Sequence, residues 1–375
     1  MHTLTIKALS HNYSVEIEQT LFDNMDFTPF SAIIIDQYLT KARQKIAEKA
    51  PTLPIFTYEA TESNKSLAMV ERILLFLNNH HITKSAHILI VGGGILHDTG
   101  GLVASLYMRG IKWSFVPTTL LSMVDACIGG KCAVNIEKRT QSSVTIKNLI
   151  GAIYPPYHVF IDPNFTTTLS SAQIYSGLAE VAKSAFLMHR YDGMILNNYV
   201  HLYNRMTSNP SQQNECLADL IALSLEVKKF IIERDEFDTN ERRYLNFGHT
   251  FGHAIESATH YRIEHGLAIA IGMVCAIDFA ATHMGIQNNT ITTFKQHIKN
   301  DILAPFPKLS NYLKAITWET FWNAFNDDKK HDTQFELILP AETGGVDRIH
   351  FTKSNEIENN IKDILNDILN SLGSH

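Results

Sequence analysis

The stretch Ala86-His-Ile-Leu-Ile-Val-Gly-Gly-Gly-Ile-Leu-His-Asp-Thr-Gly-Gly101 decides the fold of this 375-residue chain. A short apolar run, typical of a buried strand, leads into three consecutive glycines and then into a helical pattern. Glycines after a strand let backbone N–H groups approach a pyrophosphate at a helix N-terminus, although a tight turn in any α/β protein uses the same residues. The spacing is not GxGxxG, so this is not the usual dinucleotide fingerprint.

Strands and helices alternate on both sides of this stretch, which is typical of a parallel sheet. Further strands are predicted at 32–35, 113–116 and 157–161, and a helix at 67–78. After residue 172 the pattern becomes mainly helical, with predicted helices at 172–189, 212–235, 241–260, 265–284 and 354–372 and one short strand at 335–339. The sequence therefore predicts an α/β fold with a parallel-sheet domain over residues 1–172 and a mainly α-helical domain over residues 173–375.

Composition and charge exclude several classes of protein. A hydrophobic content of 45%, a charged content of 19% and a net charge of −6 are ordinary for a soluble globular protein and argue against a nucleic-acid partner. The four cysteines form no CxxC pair, and the N-terminus lacks a signal-peptide pattern. The apolar run at 266–277 is too short to span a bilayer. We therefore expect a cytoplasmic protein with no membrane partner, in which local cations attract any anionic substrate.

A polar stripe within the second half carries the strongest chemical signal. Arg242, Asn246, His249 and His253 fall within an arc of roughly 60° if residues 241–260 form one helix. Apolar residues flank the stripe, so burial would leave a cation, an amide and two imidazoles that need partners. A metal and an anionic ligand would be such partners, whereas the alternative is a solvent-facing stripe.

Other candidate residues are weaker when each is taken alone. The segment 117–131 contains Thr118 and Thr119, which could bind a cofactor, and Asp125 and Lys131, which could bind a substrate, but a capped helix start with surface charges has the same residues. Glu180 and Lys183 share one helical face, either as a surface ion pair or on a buried face. The remaining candidates, which could equally be solvated surface, are Arg109, Lys228, Lys329 and Lys330.

Taken in order, these segments make the chain resemble the dehydroquinate synthase family and the wider sugar phosphate cyclase superfamily. The resemblance covers roughly residues 59–340 and rests on VGGGxxxDxxG, RGIxxxxVPTTLLSMVDxxIGGKxAVN, KNLIGAxYPP, SGLAEVxK and NFGHTFGHAIE followed by HG. It implies a Rossmann-like N-terminal domain, a helical C-terminal domain, bound NAD and Zn²⁺ (or Co²⁺ as a substitute), and a homodimer.

The resemblance also implies roles for residues at matching motif positions. The metal ligands would be Glu180, His249 and His265. The residues around NAD would be Asp36, Glu62, Lys65, Gly93, Gly94, Asp98, Thr118, Thr119, Asp125 and Lys131. The substrate and catalytic residues would be Asp125, Lys131, Asn148, Lys183, Lys228, Arg242, Asn246, His253 and one of Lys329 and Lys330, with Arg109 reaching the site of the partner subunit.

The implied substrate is the anionic sugar phosphate 3-deoxy-D-arabino-heptulosonate 7-phosphate, and the implied product is 3-dehydroquinate. NAD would oxidise one hydroxyl transiently, phosphate would leave by β-elimination, the hydride would return, and an aldol step would close the ring without net redox change. Asn246 and His253 would handle protons on the ring oxygens. This chemistry would place the enzyme among the carbon–oxygen lyases of the shikimate pathway, which leads to the aromatic amino acids.

The chain departs from the family pattern at three places. The stretch 136–146 is longer than usual, His97 replaces a frequent glycine, and Leu267 replaces the glutamate that usually follows His-Gly. Sister cyclases act on sedoheptulose 7-phosphate or glucose 6-phosphate and typically lack the equivalent of Asn246 or His253. The presence of both residues favours the dehydroquinate synthase reaction. A metal-dependent polyol dehydrogenase and a catalytically inactive scaffold protein are the alternatives outside the cyclases.

Overall fold

The computed structural model describes residues 1–138, 144–326 and 334–373. The chain divides into two compact units, Met1–Leu169 with Ser211–Phe237, and Ser170–Pro210 with Asp238–His375. A single boundary near residue 172 would assign residues 211–237 to the second domain. The division instead groups them with the first unit, where Ser224 Oγ donates a hydrogen bond to the Val124 carbonyl.

The first unit is built on a seven-stranded sheet with the strand order β1-β2-β9-β6-β5-β3-β4. Its strands are β1 (His2–Ile6), β2 (Tyr13–Ile17), β3 (Ala32–Asp36), β4 (Ile55–Tyr58), β5 (His87–Gly92), β6 (Lys112–Pro117) and β9 (His158–Ile161). All neighbouring strands pair in parallel except β1, which is antiparallel to β2. The α/β fold class and the parallel sheet are as the sequence predicts, whereas β1, β2 and β4 were not predicted.

Helices and a hairpin complete the first unit. The helices are α1 (Leu21–Asn24), α2 (Thr40–Lys49), α3 (Leu67–Asn79), α4 (Gly94–Leu106) and α7 (Gln213–Ile232), and the hairpin consists of β7 (Lys131–Lys138) and β8 (Val144–Ile153). Buried aliphatic residues of β3 and β5 pack against aromatic residues such as Phe22 and Phe27 to form a hydrophobic core. Residues 139–143 of the predicted insertion lie outside the described residues.

The second unit is mainly α-helical, in agreement with the sequence. Its helices are α5 (Ser171–Met188), α6 (Met194–Ser208), α8 (His249–Ala258), α9 (His265–Met284), α10 (Asn289–His297), α11 (Leu309–Leu313), α12 (Trp318–Asn326) and α13 (Asn355–Gly373). The strands β10 (Gln334–Pro340) and β11 (Val346–Thr352) pair as an antiparallel hairpin.

Helix α9 is more apolar than a typical surface helix. It has 20 residues and a mean hydropathy of 1.8 over its most apolar window, which meets the length and composition of a membrane span. From the sequence we expect an apolar run too short to cross a bilayer, but the 20-residue length of α9 does not support that expectation. Because 72% of this window is buried inside the protein, α9 is equally typical of a core helix.

The predicted helix over residues 241–260 is wrong in one respect, because the structure breaks it. Glu241–Asn246 forms a 3₁₀ helix, and α8 begins at His249. Gly248 between them has φ = 77°, a left-handed conformation that glycine adopts without steric cost. Arg242 and Asn246 therefore do not share a continuous helical face with His249 and His253.

Candidate active site

The glycine turn of the first unit joins the end of a strand directly to the start of a helix. β5 ends at Gly92 and α4 begins at Gly94, so the free N–H groups of the first helical turn follow the strand directly. A Cβ atom on Gly93 would lie 3.1 Å from Cγ2 of Thr119, which explains why a small residue is needed there. The structure thus brings Gly93 and Thr119 together, as the cofactor-site prediction requires.

A buried lysine connects residues that are far apart in sequence. Lys65, only 6% exposed, places Nζ 2.5 Å from Oδ2 of Asp98 and donates a 2.6 Å hydrogen bond to Oδ1 of Asn148. Because burying an ammonium group is costly without partners, these two contacts fix Lys65 beside the start of α4. Asn148, predicted on the substrate side, therefore lies next to Lys65 and Asp98, predicted on the cofactor side.

The segment after β6 carries a second group of candidate residues. The Thr118 N–H donates to the carbonyl of Gly92, and Thr119 Oγ1 donates to Ser122 Oγ. Ser122–Ala126 forms a π-helical turn that carries Asp125, whose carboxylate accepts a 2.9 Å hydrogen bond from Lys228 Nζ. The structure thus brings Asp125 and Lys228 together.

The other predicted residues of this unit lie at different places. Lys131 begins β7 and is exposed. Glu62 lies on a short 3₁₀ turn and is also exposed. Arg109 is exposed with φ = 65°, in a turn that leads into β6. None of these positions by itself assigns a role.

Asp36 lies at the carboxyl end of β3, where ligands of open α/β sheets bind. Its carboxylate accepts a hydrogen bond from the Tyr38 N–H, and burial raises its pKa above the usual value. Tyr38 lines a cavity of about 550 Å³ together with Phe165 and Thr168. The cavity provides space next to the end of β3.

In the second unit, two histidines converge on a buried carboxylate. Nε2 of His249 lies 3.9 Å and Nε2 of His265 lies 3.7 Å from Oε1 of Glu180. A tetrahedral ion with bonds of about 2.0–2.2 Å needs donor atoms roughly 3.3–3.6 Å apart, so this set can close around a metal with small shifts. Among the described residues neither Glu180 oxygen accepts a hydrogen bond, but Oε2 forms an ion pair with Lys183, so Oε1 is the oxygen left to face the two histidines.

The opposite ring nitrogen of each histidine is anchored. His249 Nδ1 lies 3.2 Å from the Phe247 carbonyl, and His265 Nδ1 lies 3.2 Å from Oε2 of the buried Glu256. Since both partners are acceptors, Nδ1 of each ring is the donor, and Nε2 is the ring nitrogen that faces Glu180. Metal-binding histidines are held in the same way.

Close approach of three helices creates this convergence. A Cβ atom on Gly266 would lie 1.9 Å from the Ser176 carbonyl oxygen, so only glycine lets the start of α9 contact α5. Ser176 Oγ also accepts a hydrogen bond from the Gly266 N–H. His265 is thereby placed beside the helix that carries Glu180.

His253 is an alternative third ligand. Ligand atoms of His249, His253 and His265 all lie within 4.8 Å of one another, and His253 is the exposed member of the three. Burial lowers the pKa of His265, but the Glu256 and Glu180 carboxylates outweigh burial and raise it overall. Negative charge around His265 favours a cation at this place, either a proton or a metal ion.

Two cationic side chains are buried in the unit that contains the Glu180 carboxylate. Lys183 forms an ion pair with Glu180, and the two residues are each 1% exposed, so the pair is buried and is not the surface pair that was the alternative. Arg242 is also buried, on the 3₁₀ helix before α8, and Asn246 ends that helix. Lys329 and Lys330 lie outside the described residues.

Sequence reasoning missed two residues that contact candidate site residues in the structure. Glu256 is the last residue of the NFGHTFGHAIE motif, and Asn135 is the asparagine of AVN. Each lies inside a quoted motif, but only the fold shows that Glu256 contacts His265 and that Asn135 contacts Glu62 and Asn148.

Comparison with known proteins gives the class of the protein. The solved structure of 2-epi-5-epi-valiolone synthase from Streptomyces hygroscopicus subsp. jinggangensis 5008, with NAD⁺ and Zn²⁺ bound, superposes with a TM-score of 0.75 at 23% identity and covers 98% of this chain and 99% of that chain. A 2-deoxy-scyllo-inosose synthase complexed with carbaglucose-6-phosphate, NAD⁺ and Co²⁺ superposes with a TM-score of 0.74 at 20% identity over 98% and 99% of the two chains. The chain therefore has the same fold as these two cyclases.

Sequence comparison narrows this class to one family. The models for the 3-dehydroquinate synthase N-terminal and C-terminal parts match residues 55–176 and 177–331. A 3-dehydroquinate synthase from Campylobacter jejuni subsp. doylei is 36% identical over 336 residues, which cover 88% of this chain and 91% of the relative. The chain belongs to the 3-dehydroquinate synthase family, as the motifs indicate.

Proposed function

We propose that this protein converts 3-deoxy-D-arabino-heptulosonate 7-phosphate into 3-dehydroquinate and phosphate, with NAD and a divalent metal. The observation that carries the proposal is the convergence of the anchored His249 and His265 on the buried Glu180 carboxylate, in a chain of this family. Relatives of the same fold bind NAD⁺ with Zn²⁺ or with Co²⁺. We infer Zn²⁺ as the metal, because one carboxylate and two imidazoles suit it and leave a position for substrate.

The metal-binding residues in this proposal are Glu180, His249 and His265. When bound, the metal would polarise the hydroxyl oxygen that NAD⁺ oxidises, and the nicotinamide would take up and return one hydride. The Glu256 carboxylate keeps the Nδ1 proton on His265, which leaves Nε2 as a ligand.

The cofactor-binding residues in this proposal lie in the first unit. The N–H groups at the start of α4 and Lys65 would hold the negative charge of a pyrophosphate, while Asp98 keeps Lys65 in place. Thr118 and Thr119 add hydroxyl groups, and Asp36 and Glu62 offer carboxylate acceptors for ribose hydroxyls.

The anionic substrate requires fixed cations. Lys131, Lys183, Lys228 and Arg242 are assigned to its carboxylate and phosphate, because charge-assisted hydrogen bonds hold such groups most strongly. Asn148, Asn246 and His253 are assigned to hydroxyl and ring oxygens, where an imidazole can accept and return a proton. During the elimination the C–O bond to phosphate breaks as the neighbouring C–H proton leaves, and the departing phosphate can itself accept that proton.

We further infer a cytoplasmic homodimer. All four cysteines are buried and unpaired, which agrees with a reducing compartment. Arg109 is assigned to the partner subunit's site on the family resemblance of the RGI motif, and its exposure is compatible with that role.

The test is phosphate release from 3-deoxy-D-arabino-heptulosonate 7-phosphate with catalytic NAD⁺ and added Zn²⁺, while the NADH absorbance is followed. Steady phosphate release without accumulating NADH supports the proposal. Release only from sedoheptulose 7-phosphate or glucose 6-phosphate would replace it with a sister cyclase activity. NADH that accumulates with simple polyols would indicate a dehydrogenase, and no turnover on any of these would indicate a binding protein.

A further inference from the structure

Asn135 lies where the pairing of β7 with β8 is interrupted. Val134 pairs with Ile150 and Ile136 pairs with Ile146, so the single residue Asn135 faces the three residues 147–149. Such a bulge bends a strand and redirects a side chain, and bulges are frequent next to active sites. The redirected residue is Asn148, whose φ of 49° is left-handed.

Both the amide nitrogen and the amide oxygen of the Asn135 side chain form hydrogen bonds. Its Nδ2 donates a 2.8 Å hydrogen bond to Oε1 of Glu62, and its Oδ1 accepts a 2.9 Å hydrogen bond from the backbone N–H of Asn148. An amide supplies both a donor and an acceptor, and the Glu62 carboxylate and the Asn148 N–H fix which end is which. Asn135 is 6% exposed, so loss of either partner would leave a buried polar atom unsatisfied.

The backbone of Asn135 adds a third connection. Its N–H donates a 2.9 Å hydrogen bond to the carbonyl of Lys65, and Lys65 Nζ in turn donates to Oδ1 of Asn148. Asn135, Lys65 and Asn148 therefore form a closed ring of hydrogen bonds. Asp98 contacts this ring through Lys65.

We propose that Asn135 is a positioning residue that holds the cofactor-side carboxylate of Glu62 and the substrate-side amide of Asn148 in a fixed relation. The inference rests on the proposed function, because that function assigns Glu62 to the cofactor and Asn148 to the substrate. Asn135 acts through these two residues.

The left-handed backbone of Asn148 explains why such a residue is needed. Non-glycine residues in this conformation cost free energy, least so for asparagine, and the surroundings help to hold them there. The hydrogen bond from the Asn148 N–H to Asn135 is such a constraint. Without it, the Asn148 backbone loses this constraint and its side chain can turn away from Lys65.

Two substitutions separate the two ends of the amide. Asn135→Asp keeps the acceptor for Asn148 but sets a carboxylate against Glu62, and we expect a KM for NAD⁺ that rises about tenfold, with a smaller change in kcat. Asn135→Leu removes both ends, and we expect kcat to fall about tenfold as well. A matched control is Asn79→Asp, which adds the same charge at the exposed end of α3.

Rescue distinguishes positioning from mere stability. In Glu62→Gln the new amide can donate to a carboxylate at position 135, so N135D should raise the KM for NAD⁺ much less in the E62Q background than in the wild type. Direct titration with NADH gives the same comparison without turnover. Midpoints of thermal unfolding, taken on every variant with the metal bound, show whether folding alone explains a loss.

The outcomes separate this inference from the proposed function. If the wild type binds NADH but turns over no sugar phosphate, the proposed function fails, while a rescued loss of NADH binding in N135D still supports the positioning role. If the wild type is active and N135D has an unchanged KM for NAD⁺, the inference is overturned. A loss in N135D that E62Q does not relieve also overturns it.

Discussion

Nδ1 of His265 lies 3.2 Å from Oε2 of Glu256, a buried carboxylate that the motif analysis did not single out. The resemblance leads us to expect a glutamate two positions after His265, but this chain has Leu267, which is buried in the apolar helix α9. Glu256, on the neighbouring helix α8, supplies the carboxylate that orients His265.

Replacing Glu256 should weaken metal binding. Glu256→Leu removes the acceptor that keeps the proton on Nδ1 of His265, and loss of such a partner typically lowers metal affinity about 10–100-fold. Competition with a chromophoric chelator measures this affinity for Zn²⁺. Glu264→Gln, which removes an exposed neighbouring carboxylate, is the matched control and should change the affinity much less. Equal affinities in Glu256→Leu and the wild type would show that Glu256 does not support the site.

Alanine at His249 and at His253 should have different effects on metal content. We expect His249→Ala to lose Zn²⁺ and nearly all turnover while it remains folded, because two donors cannot hold the ion in competition with water. His253→Ala should keep about one Zn²⁺ per chain and lower turnover without abolishing it, since phosphate can accept the proton. Metal analysis after gel filtration decides whether the ligands are Glu180, His249 and His265 or the three histidines His249, His253 and His265. Loss of Zn²⁺ in His253→Ala as well as in His249→Ala would favour the three-histidine set.

Removing Lys183 should destabilise the metal-free protein. Lys183 and Glu180 form a buried ion pair, so Lys183→Met leaves the Glu180 carboxylate without its cation, at a cost of about 3 kcal/mol. A metal ion supplies positive charge to the same carboxylate, so saturating Zn²⁺ should restore part of the loss. Urea unfolding with and without Zn²⁺ measures both effects. A midpoint that is unchanged in the metal-free variant contradicts this account.

The sequence predicted the central strands β9, β6, β5 and β3 of the sheet but missed β1, β2 and β4 toward its edges. Central strands such as β5 and β6 are continuous apolar runs that end in glycine or proline, which makes them recognisable. The sequence prediction failed at residues 241–260, because helical spacing continues across Phe247-Gly248 while the backbone does not. The left-handed Gly248 follows from packing, since a Cβ there would lie 2.6 Å from Cγ of Met273 on α9.

The candidate site was predictable only as a set of motif positions. Glu180, His249 and His265 are far apart in sequence, and periodicity within one element gives no distance between elements. The same limit hid Asn135, because its partners Glu62 and Asn148 are reached through a bulge that no local pattern marks. Residues 211–237 belong to the first unit, although the segments before and after them in the sequence belong to the second. A single boundary drawn from composition cannot detect this division.

His87 should make the first unit sensitive to acid. Burial, together with the positive charge of His158 and Lys112, lowers the pKa of His87 to about 4, while its Nε2 lies 2.8 Å from Ser114 Oγ. Because the unfolded chain has the usual pKa of about 6.5, it binds this proton first as the pH falls. The contribution of neutral His87 is therefore complete above pH 6.5 or so, and it is lost as the pH falls toward 4, by about 1 kcal/mol between pH 7 and 5 after allowance for solvent screening.

Urea unfolding monitored by fluorescence of the buried Trp113, in a chain with Trp318 and Trp322 replaced by Phe, follows this unit. We expect His87→Gln to be less stable at pH 7 but to lose less stability between pH 7 and 5, whereas His201→Gln, at an exposed position, should leave the pH dependence unchanged. The same slope in His87→Gln and the wild type would assign the acid sensitivity to other groups.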